Sequence, residues 1–168
     1  MEGSEYMYAA VEAGVALAGF SALVVVLRQA SDSLLSESDR LIVYGLVERG
    51  LMASFLSFLP ILLFGLNVPA RLVWLFSSGS FVAYGVSLAV RAFKTRRNDP
   101  ASFSKLASGP VFRILMSIGL LVIALQLIHA LGIGLQQSVW WYLVGVTWLL
   151  VSAGYLFVFV LRSWARAA

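Results

Sequence analysis

Long apolar runs alternate with short polar segments along this chain. A helix needs about 20 consecutive, mostly apolar residues to cross the hydrocarbon core of a bilayer. Runs of that length predict five transmembrane helices, at about residues 5–28, 40–66, 70–92, 110–133 and 138–161. Turn-forming stretches such as "NVPA" and "GLQQS" separate them. We therefore predict an all-α, polytopic membrane protein, a five-transmembrane-helix bundle that forms a single transmembrane domain over residues 1–168.

The composition supports a lipid environment. Of the 168 residues, 61% are hydrophobic and 12% are charged, whereas soluble domains average about 45–50% and about 25%. A soluble fold of this size could not bury so much apolar surface, so the solvent is expected to be the lipid bilayer. The chain has no cysteine, which excludes disulfides, thiolate catalysis and cysteine metal sites.

The distribution of Lys and Arg predicts the topology. Ten of these residues lie on one side of the predicted spans, namely Arg28, Arg40, Arg91, Lys94, Arg96, Arg97, Lys105, Arg113, Arg162 and Arg166. The other side has Arg71. The positive-inside rule then places the N-terminus outside and the C-terminus in the cytoplasm (N-out/C-in), in the inner or plasma membrane if the organism is prokaryotic. The net charge of +4 is explained by this topology and by anionic lipid headgroups, so no nucleic-acid partner is expected.

Two adjacent charges, Glu48 and Arg49, lie near the start of the second predicted span. Sequence neighbours on a helix point about 100° apart, so the two side chains do not pair well with each other. Helical side chains lean toward the N-terminus, which gives both a route to cytoplasmic water. Alternatively, Glu48 faces the bundle and pairs with a cation at an inner helix end, which would be Arg28, Arg91, Arg113 or Arg162. Intramembrane charges commonly mark a pairing, a polar cavity or a permeation path.

A second group of polar residues is predicted near the outer face, comprising Glu12, Asn67, Arg71, Gln126 and His129. Glu12 leans toward outer water, because its helix starts outside. Gln126 and His129 lean back into the bilayer and need hydrogen-bond partners. We expect a hydrogen bond between Glu12 and His129. A structural role for the lone histidine is favoured over a protonation-sensitive site or haem ligation.

Tryptophans occur where a membrane interface is expected. Trp74, Trp140 and Trp141 lie near predicted outer helix ends and Trp164 near an inner end. These are positions of an aromatic belt, at which the indole ring anchors the helix at headgroup level.

Small residues recur at helical spacing in three predicted spans and indicate close helix packing. The stripe of the first span contains Ala10, Gly14, Ala18 and Ala22, the second span has Gly50 and Ser54, and the third has Gly79, Ala83 and Ser87. Such stripes pack within one bundle or between subunits, and we expect a homo-oligomer, because five helices enclose little interior. Pro60 predicts a kink in the second span and a freed carbonyl, which Ser57 could help satisfy.

No catalytic constellation, cofactor motif or metal site is recognisable, so we expect that the protein is not an enzyme. A membrane metalloprotease motif needs two histidines, and the chain has one. Three function classes remain open. The first, which we favour, is a homo-oligomeric channel or small-solute transport protein with Glu48 or Glu12 on its path. The second is a non-catalytic scaffold or accessory subunit, with a possible membrane protein partner. The third is a ligand sensor with an outward-facing pocket near Glu12, Gln126 and His129.

Overall fold

A computed structural model of the protein describes residues 3–30, 37–98, 110–134 and 136–165, and the side chains of residues 27–30, 37–41 and 163–165 are outside this description. The described residues form five helices, α1 (Ser4–Ala30), α2 (Glu37–Gly65), α3 (Ala70–Asn98), α4 (Pro110–Leu131) and α5 (Val139–Ala165). Each is long and apolar enough to cross a membrane. The predicted all-helical class and the five spans are confirmed, and they indicate a multi-pass membrane protein.

Three helices, α1, α3 and α5, end beyond the apolar runs that predicted them, whereas α2 and α4 end one and two residues earlier. The largest difference is in α3, which continues through the polar sequence "FKTRRN" to Asn98 instead of ending near residue 92. Lys and Arg are good helix formers, and at the C-terminus of a helix their charge is favourable to the helix dipole. An apolar run therefore reports the part of a helix that crosses hydrocarbon, and the helix itself continues into the headgroup region.

A tight turn joins α2 to α3. The N–H of Val68 donates to the carbonyl of Leu63 at 3.1 Å, and the N–H of Asn67 donates to the carbonyl of Phe64 at 3.0 Å. This is the Schellman pattern of helix termination, which requires a left-handed residue. Asn67 takes that conformation, with φ of 56°, and Asn tolerates it better than most side chains.

The chain divides into two compact units, each with its own internal packing. The first, here the central unit, comprises Leu59–Gly145 and so contains α3, α4, the end of α2 and the start of α5. The second, here the terminal unit, comprises Gly3–Phe58 together with Val146–Ala168. Whether the two units form one transmembrane domain, as the sequence suggested, stays a prediction.

In the central unit α3 packs against α4, which runs antiparallel to it. Ser78 of α3 contacts His129 of α4. About two turns further along α3, a Cβ atom at Gly85 would lie 2.7 Å from the side chain of Ile123. Gly85 therefore leaves the space that Ile123 fills. Small residues at such contacts are typical of helix packing in membranes.

In the terminal unit α1 packs against α2 through the small residues that the sequence singled out. A Cβ atom at Gly50 would lie 2.8 Å from the carbonyl oxygen of Gly14 and 3.2 Å from the backbone nitrogen of Ala18. Ser54 Oγ donates to the carbonyl of Val11 at 2.9 Å. The stripe of Ala10, Gly14 and Ala18 is thus buried within the chain, whereas Ala22 is exposed.

Candidate functional site

His129 lies at the centre of a buried polar cluster in the central unit. Its side chain is fully buried. The ring nitrogen Nδ1 lies 2.8 Å from the hydroxyl of Ser78 on α3. The backbone N–H of Ser138, just before α5, donates to Nε2 at 3.1 Å. One imidazole on α4 therefore connects α3 to the start of α5.

These contacts assign the tautomer of His129. An imidazole nitrogen that accepts a hydrogen bond carries no proton, and in the neutral ring the other nitrogen carries it. Because Nε2 accepts from Ser138, the proton is on Nδ1, which donates to the Ser78 hydroxyl. A doubly protonated ring would place two donors face to face at Ser138, so the arrangement requires the neutral imidazole.

The expected hydrogen bond between Glu12 and His129 is wrong. Both ring nitrogens of His129 are engaged inside the central unit, by Ser78 and Ser138. Glu12 is exposed on α1. The sequence did show that His129 needs a partner, but a serine hydroxyl and a backbone N–H leave no signature that identifies them in advance.

The backbone of His129 also closes the turn between α4 and α5. The N–H of Gly132 donates to its carbonyl at 3.2 Å, and Gln137 Nε2 donates to the same oxygen at 3.3 Å. Gly132 has a φ of 66°, a conformation that glycine adopts without steric cost. The side chain and the backbone of His129 thus both form hydrogen bonds that stabilise the turn before α5.

Gln126, one turn earlier on α4, is fully buried. Its Nε2 donates to the carbonyl of Trp141 at 2.8 Å. A Cβ atom at Gly145 would lie 2.8 Å from this nitrogen and 2.9 Å from the ring of Phe81, so a glycine is needed there. Among the described residues Gln126 Oε1 has no hydrogen-bond partner, and an unsatisfied buried acceptor is costly in a membrane.

Aromatic rings surround the cluster. Trp74 of α3 is 5% exposed, and its ring lies 5.4 Å from that of His129 and 5.9 Å from that of Tyr142. The expectation that Trp74 is an interfacial anchor is therefore wrong, because its ring is packed inside the protein. Trp140 and Trp141 are 51% and 38% exposed, as anchors would be. The side chain of Trp164 lies outside the described residues.

The terminal unit places Glu12 on the face of α1 that points away from α2. Exposed residues follow one another along this face with alternating steps of four and three residues, and they are Glu5, Ala9, Glu12, Ala16, Gly19 and Leu23. We call these six residues the α1 stripe. A repeat of this kind keeps residues on one side of a helix. From Glu5 to Gly19 the stripe has only small or carboxylate side chains.

The other charged candidates occupy intermediate or exposed positions. Glu48 and Arg49 on α2 are both half-buried, and Arg71 is exposed in the first turn of α3. Since α2 starts at Glu37, Glu48 is eleven residues in, or about 16 Å along the axis at 1.5 Å per residue. Their roles in transport stay predictions.

Pro60 lies inside α2, which continues to Gly65, and the predicted kink stays a prediction. The expectation for Ser57 is wrong. Its hydroxyl donates to the carbonyl of Ala53 at 2.7 Å, whereas the carbonyl to which Pro60 cannot donate, four residues before it, belongs to Leu56. A serine in a helix reaches back to the preceding turn, so it could not serve a carbonyl one residue away.

The small residues of α3 differ from those of α1. A Cβ atom at Gly79 would meet no other group within 4 Å, and Ala83 is exposed. Ser87 Oγ donates to the carbonyl of Tyr84 at 2.7 Å. The small residues at the α1–α2 contact are thus buried, whereas Gly79 and Ala83 of α3 face open space.

Neither a protein-family model nor a curated protein nor a solved structure matches this chain. The class of the protein therefore rests on its own helices, which indicate a multi-pass membrane protein. Within the described residues, no group of three or more His, Asp or Glu side chains could hold a metal ion.

Proposed function

We propose that the protein is a homo-oligomeric membrane channel or small-solute transport protein, and that the α1 stripe lines the path between its copies. The proposed orientation is N-out/C-in, which the uneven distribution of Lys and Arg supports. In this arrangement Glu12 is the principal carboxylate on the path. Its charge attracts cations, as rings of Asp or Glu do in cation channels.

The exposure of Glu12 carries the proposal. Glu12 is eight residues from the start of α1, or about 12 Å along the axis. Each headgroup layer is about 5–7 Å thick, so a helix that starts at the outer membrane surface places the Cα atom of Glu12 about 5 Å inside the hydrocarbon region, with the carboxylate leaning back toward its boundary. A charged group facing lipid there is expensive, and such residues usually face water or another protein surface.

The surroundings of Glu12 support a second copy as the neighbour. Ala9, Ala13 and Ala16 next to it are exposed and small, which allows another helix to approach closely. The alternating steps of four and three along the α1 stripe match the seam between two supercoiled helices. The opposite face of α1 is already occupied by Gly50 and Ser54 of α2. The stripe is thus the face of α1 that remains for other copies.

Flux measurements test this function. The purified protein is reconstituted in liposomes, and uptake of K⁺, Na⁺ and H⁺ is measured against protein-free liposomes. We expect cation flux in the wild type and a loss of about tenfold or more in Glu12→Gln, which keeps the shape and removes the charge. Glu48→Gln is the matched control, because it neutralises another carboxylate within a span. Absence of flux in the wild type, or a loss confined to Glu48→Gln, would contradict the proposal.

A second candidate function is ligand sensing by the central unit. The observation that favours it is the buried Gln126 Oε1, which has no hydrogen-bond partner among the described residues and lies on the helix turn before His129. A small molecule with a donor group would satisfy this acceptor, and Trp74 would report its arrival by a change in fluorescence. Ligand binding that is lost in Gln126→Leu, with no cation flux in the wild type, would favour this candidate over the channel.

A further inference from the structure

We propose that uptake of a second proton by His129 opens the turn between α4 and α5, which comprises residues 132–134 and 136–138. In the structure this turn is closed on the neutral ring, so acid would release the segment that leads into α5. All of the groups involved lie in the central unit, and none belongs to the α1 stripe. The inference therefore stands independently of the channel proposal.

The hydrogen bond at Nε2 of His129 is the one that a second proton would remove. The backbone N–H of Ser138 donates to this nitrogen at 3.1 Å. A backbone N–H can only donate, and a protonated Nε2 can no longer accept. Two donors that face each other at this distance leave both without a partner, which is costly for buried groups. The doubly protonated ring and the closed turn therefore exclude each other.

The imidazole ring is held more firmly than the turn. The side chain of His129 is fully buried, its Nδ1 lies 2.8 Å from the Ser78 hydroxyl, and the Trp74 ring packs 5.4 Å away. Nδ1 can donate to Ser78 in both protonation states, and a rotation of the ring would break this bond. The turn, by contrast, is exposed at residues 132–134 and 136. The turn is therefore the part that moves.

Loss of the bond to Ser138 would loosen the other contacts of the turn. Gln137, its neighbour in sequence, donates from Nε2 to the carbonyl of His129 at 3.3 Å, and the N–H of Gly132 donates to the same oxygen at 3.2 Å. A displacement of the Ser138 backbone also displaces Gln137. Since α5 starts at Val139, the opening would free the segment before α5 and leave the helices formed.

No carboxylate of the central unit would stabilise a charged His129 inside the closed turn, because the described residues of this unit contain no Asp or Glu. The two residues of α3 that contact the ring are uncharged, and the end of α2 (residues 59–65) has no titratable side chain. Tyr142 of α5 packs beyond the Trp74 ring and stays neutral in acid. Arg71 is seven residues before Ser78 on α3, or about 10 Å along the axis. Its charge disfavours a second positive charge on the ring. The other described cations of the unit lie at the opposite ends of α3 and α4.

Acid therefore favours the open turn. An imidazole in contact with water takes up a second proton below about pH 6.5, whereas the closed turn has no place for it. The state that binds the additional proton gains population as the pH falls. The stabilisation of the turn by His129 is thus complete above about pH 6.5 and decreases below it. His129 lies in the last turn of α4, which ends at Leu131, so an opened ring is close to the helix end and to water.

Hydrogen exchange of the backbone amides tests this coupling. The purified protein in detergent is measured by mass spectrometry at about pH 7.5 and about pH 5, and each exchange rate is divided by the intrinsic rate at the same pH to give a protection factor. The control within the wild type is the turn between α2 and α3, which main-chain hydrogen bonds of Asn67 and Val68 close without a histidine. The matched variant is His129→Gln, whose amide oxygen can accept from Ser138 and takes up no proton.

We expect that the protection of peptides covering residues 132–138 falls about 30-fold in the wild type between the two pH values, because only the open turn takes up the proton. The protection of residues 66–68 should change less than about twofold. In His129→Gln, residues 132–138 should be protected equally at both pH values. Unchanged protection of residues 132–138 in the wild type would overturn the proposal.

Equal losses of protection in the two turns would also overturn it, since acid would then unfold the unit as a whole. A loss in His129→Gln as large as in the wild type would show that another group takes up the proton, and would likewise overturn the proposal. The comparison of the two turns uses the wild type alone, so it remains decisive if the variant fails to fold.

Discussion

Gly14 of α1 and Gly50 of α2 lie so close together that neither position has room for a Cβ atom. A Cβ at Gly14 would lie 2.6 Å from the carbonyl oxygen of Gly50, and a Cβ at Gly50 would lie 2.8 Å from that of Gly14. This approach lets Ser54 Oγ reach the carbonyl of Val11. It also determines which face of α1 is buried and so leaves Glu12 on the exposed one.

Gly50→Ala should destabilise the protein by about 1–3 kcal/mol, the usual range for overpacking a close contact. The added methyl group would collide with the backbone of α1, which cannot move aside as a flexible side chain can. Gly154→Ala is the control, since a Cβ there meets nothing within 4 Å. Unfolding in detergent, followed by circular dichroism, measures the difference. Equal stability of the two variants would mean that α1 and α2 are not in this contact.

Gly145→Ala should likewise destabilise the protein, because the new Cβ would press on the Gln126 amide and the Phe81 ring. The hydrogen bond from Gln126 to the Trp141 carbonyl would be strained or lost. Gly154→Ala lies on the same helix in open space and should have little effect. The unfolding midpoints of the two variants measure the difference. A lower midpoint for Gly154→Ala than for Gly145→Ala would contradict the packing around Gln126.

The hydrogen bond between Ser78 and His129 should appear as coupling in a double-mutant cycle. Each of Ser78→Ala and His129→Phe removes one partner and leaves the other buried without it, which costs about 1–3 kcal/mol. The double variant should lose less than the sum of the two, because the shared bond is counted twice in the singles. Additive losses in unfolding free energy would show that the two side chains do not interact.

Truncation of the Ser54 hydroxyl should have a small effect. Ser54→Ala removes the bond to Val11 on α1, but the hydroxyl also bonds the carbonyl of Gly50 in its own helix at 3.1 Å. Interhelical hydrogen bonds in membranes are worth on average about 0.6 kcal/mol. We therefore expect that Ser54→Ala lowers the free energy of unfolding less than Gly50→Ala does in the same assay. The reverse order would make the hydroxyl, and not the glycine contact, the main link between α1 and α2.

The helices and the small-residue contact could be predicted because they depend on local patterns. Apolar length defined the five spans, and the spacing of Ala10, Gly14 and Ala18 defined a packing stripe. The sequence could not show whether this stripe faces another helix of the chain or another subunit. Both faces of α1 carry small residues, and on the face away from α2 these are Ala9, Ala13 and Ala16. Residue composition therefore does not distinguish the two faces.

The contacts of the polar residues could not be predicted, because they depend on how helices are rotated. His129 was correctly expected to need a partner, yet Ser78 and Ser138 supply it instead of Glu12. Trp74 was assigned to the interface from its position near a helix end, and it packs inside against His129 and Tyr142. Depth along a helix follows from sequence position, whereas the direction of a side chain depends on tertiary packing.

Cysteine cross-linking measures whether the α1 stripe faces a second copy. The chain has no cysteine of its own, so single cysteines report without background. Ala9→Cys and Ala16→Cys in membranes should form disulfide-linked dimers under mild oxidation. Leu121→Cys on α4, which is 71% exposed, is the control and should remain monomeric. Monomers at both stripe positions, or dimers at Leu121→Cys alone, would show that the α1 stripe does not face a second copy.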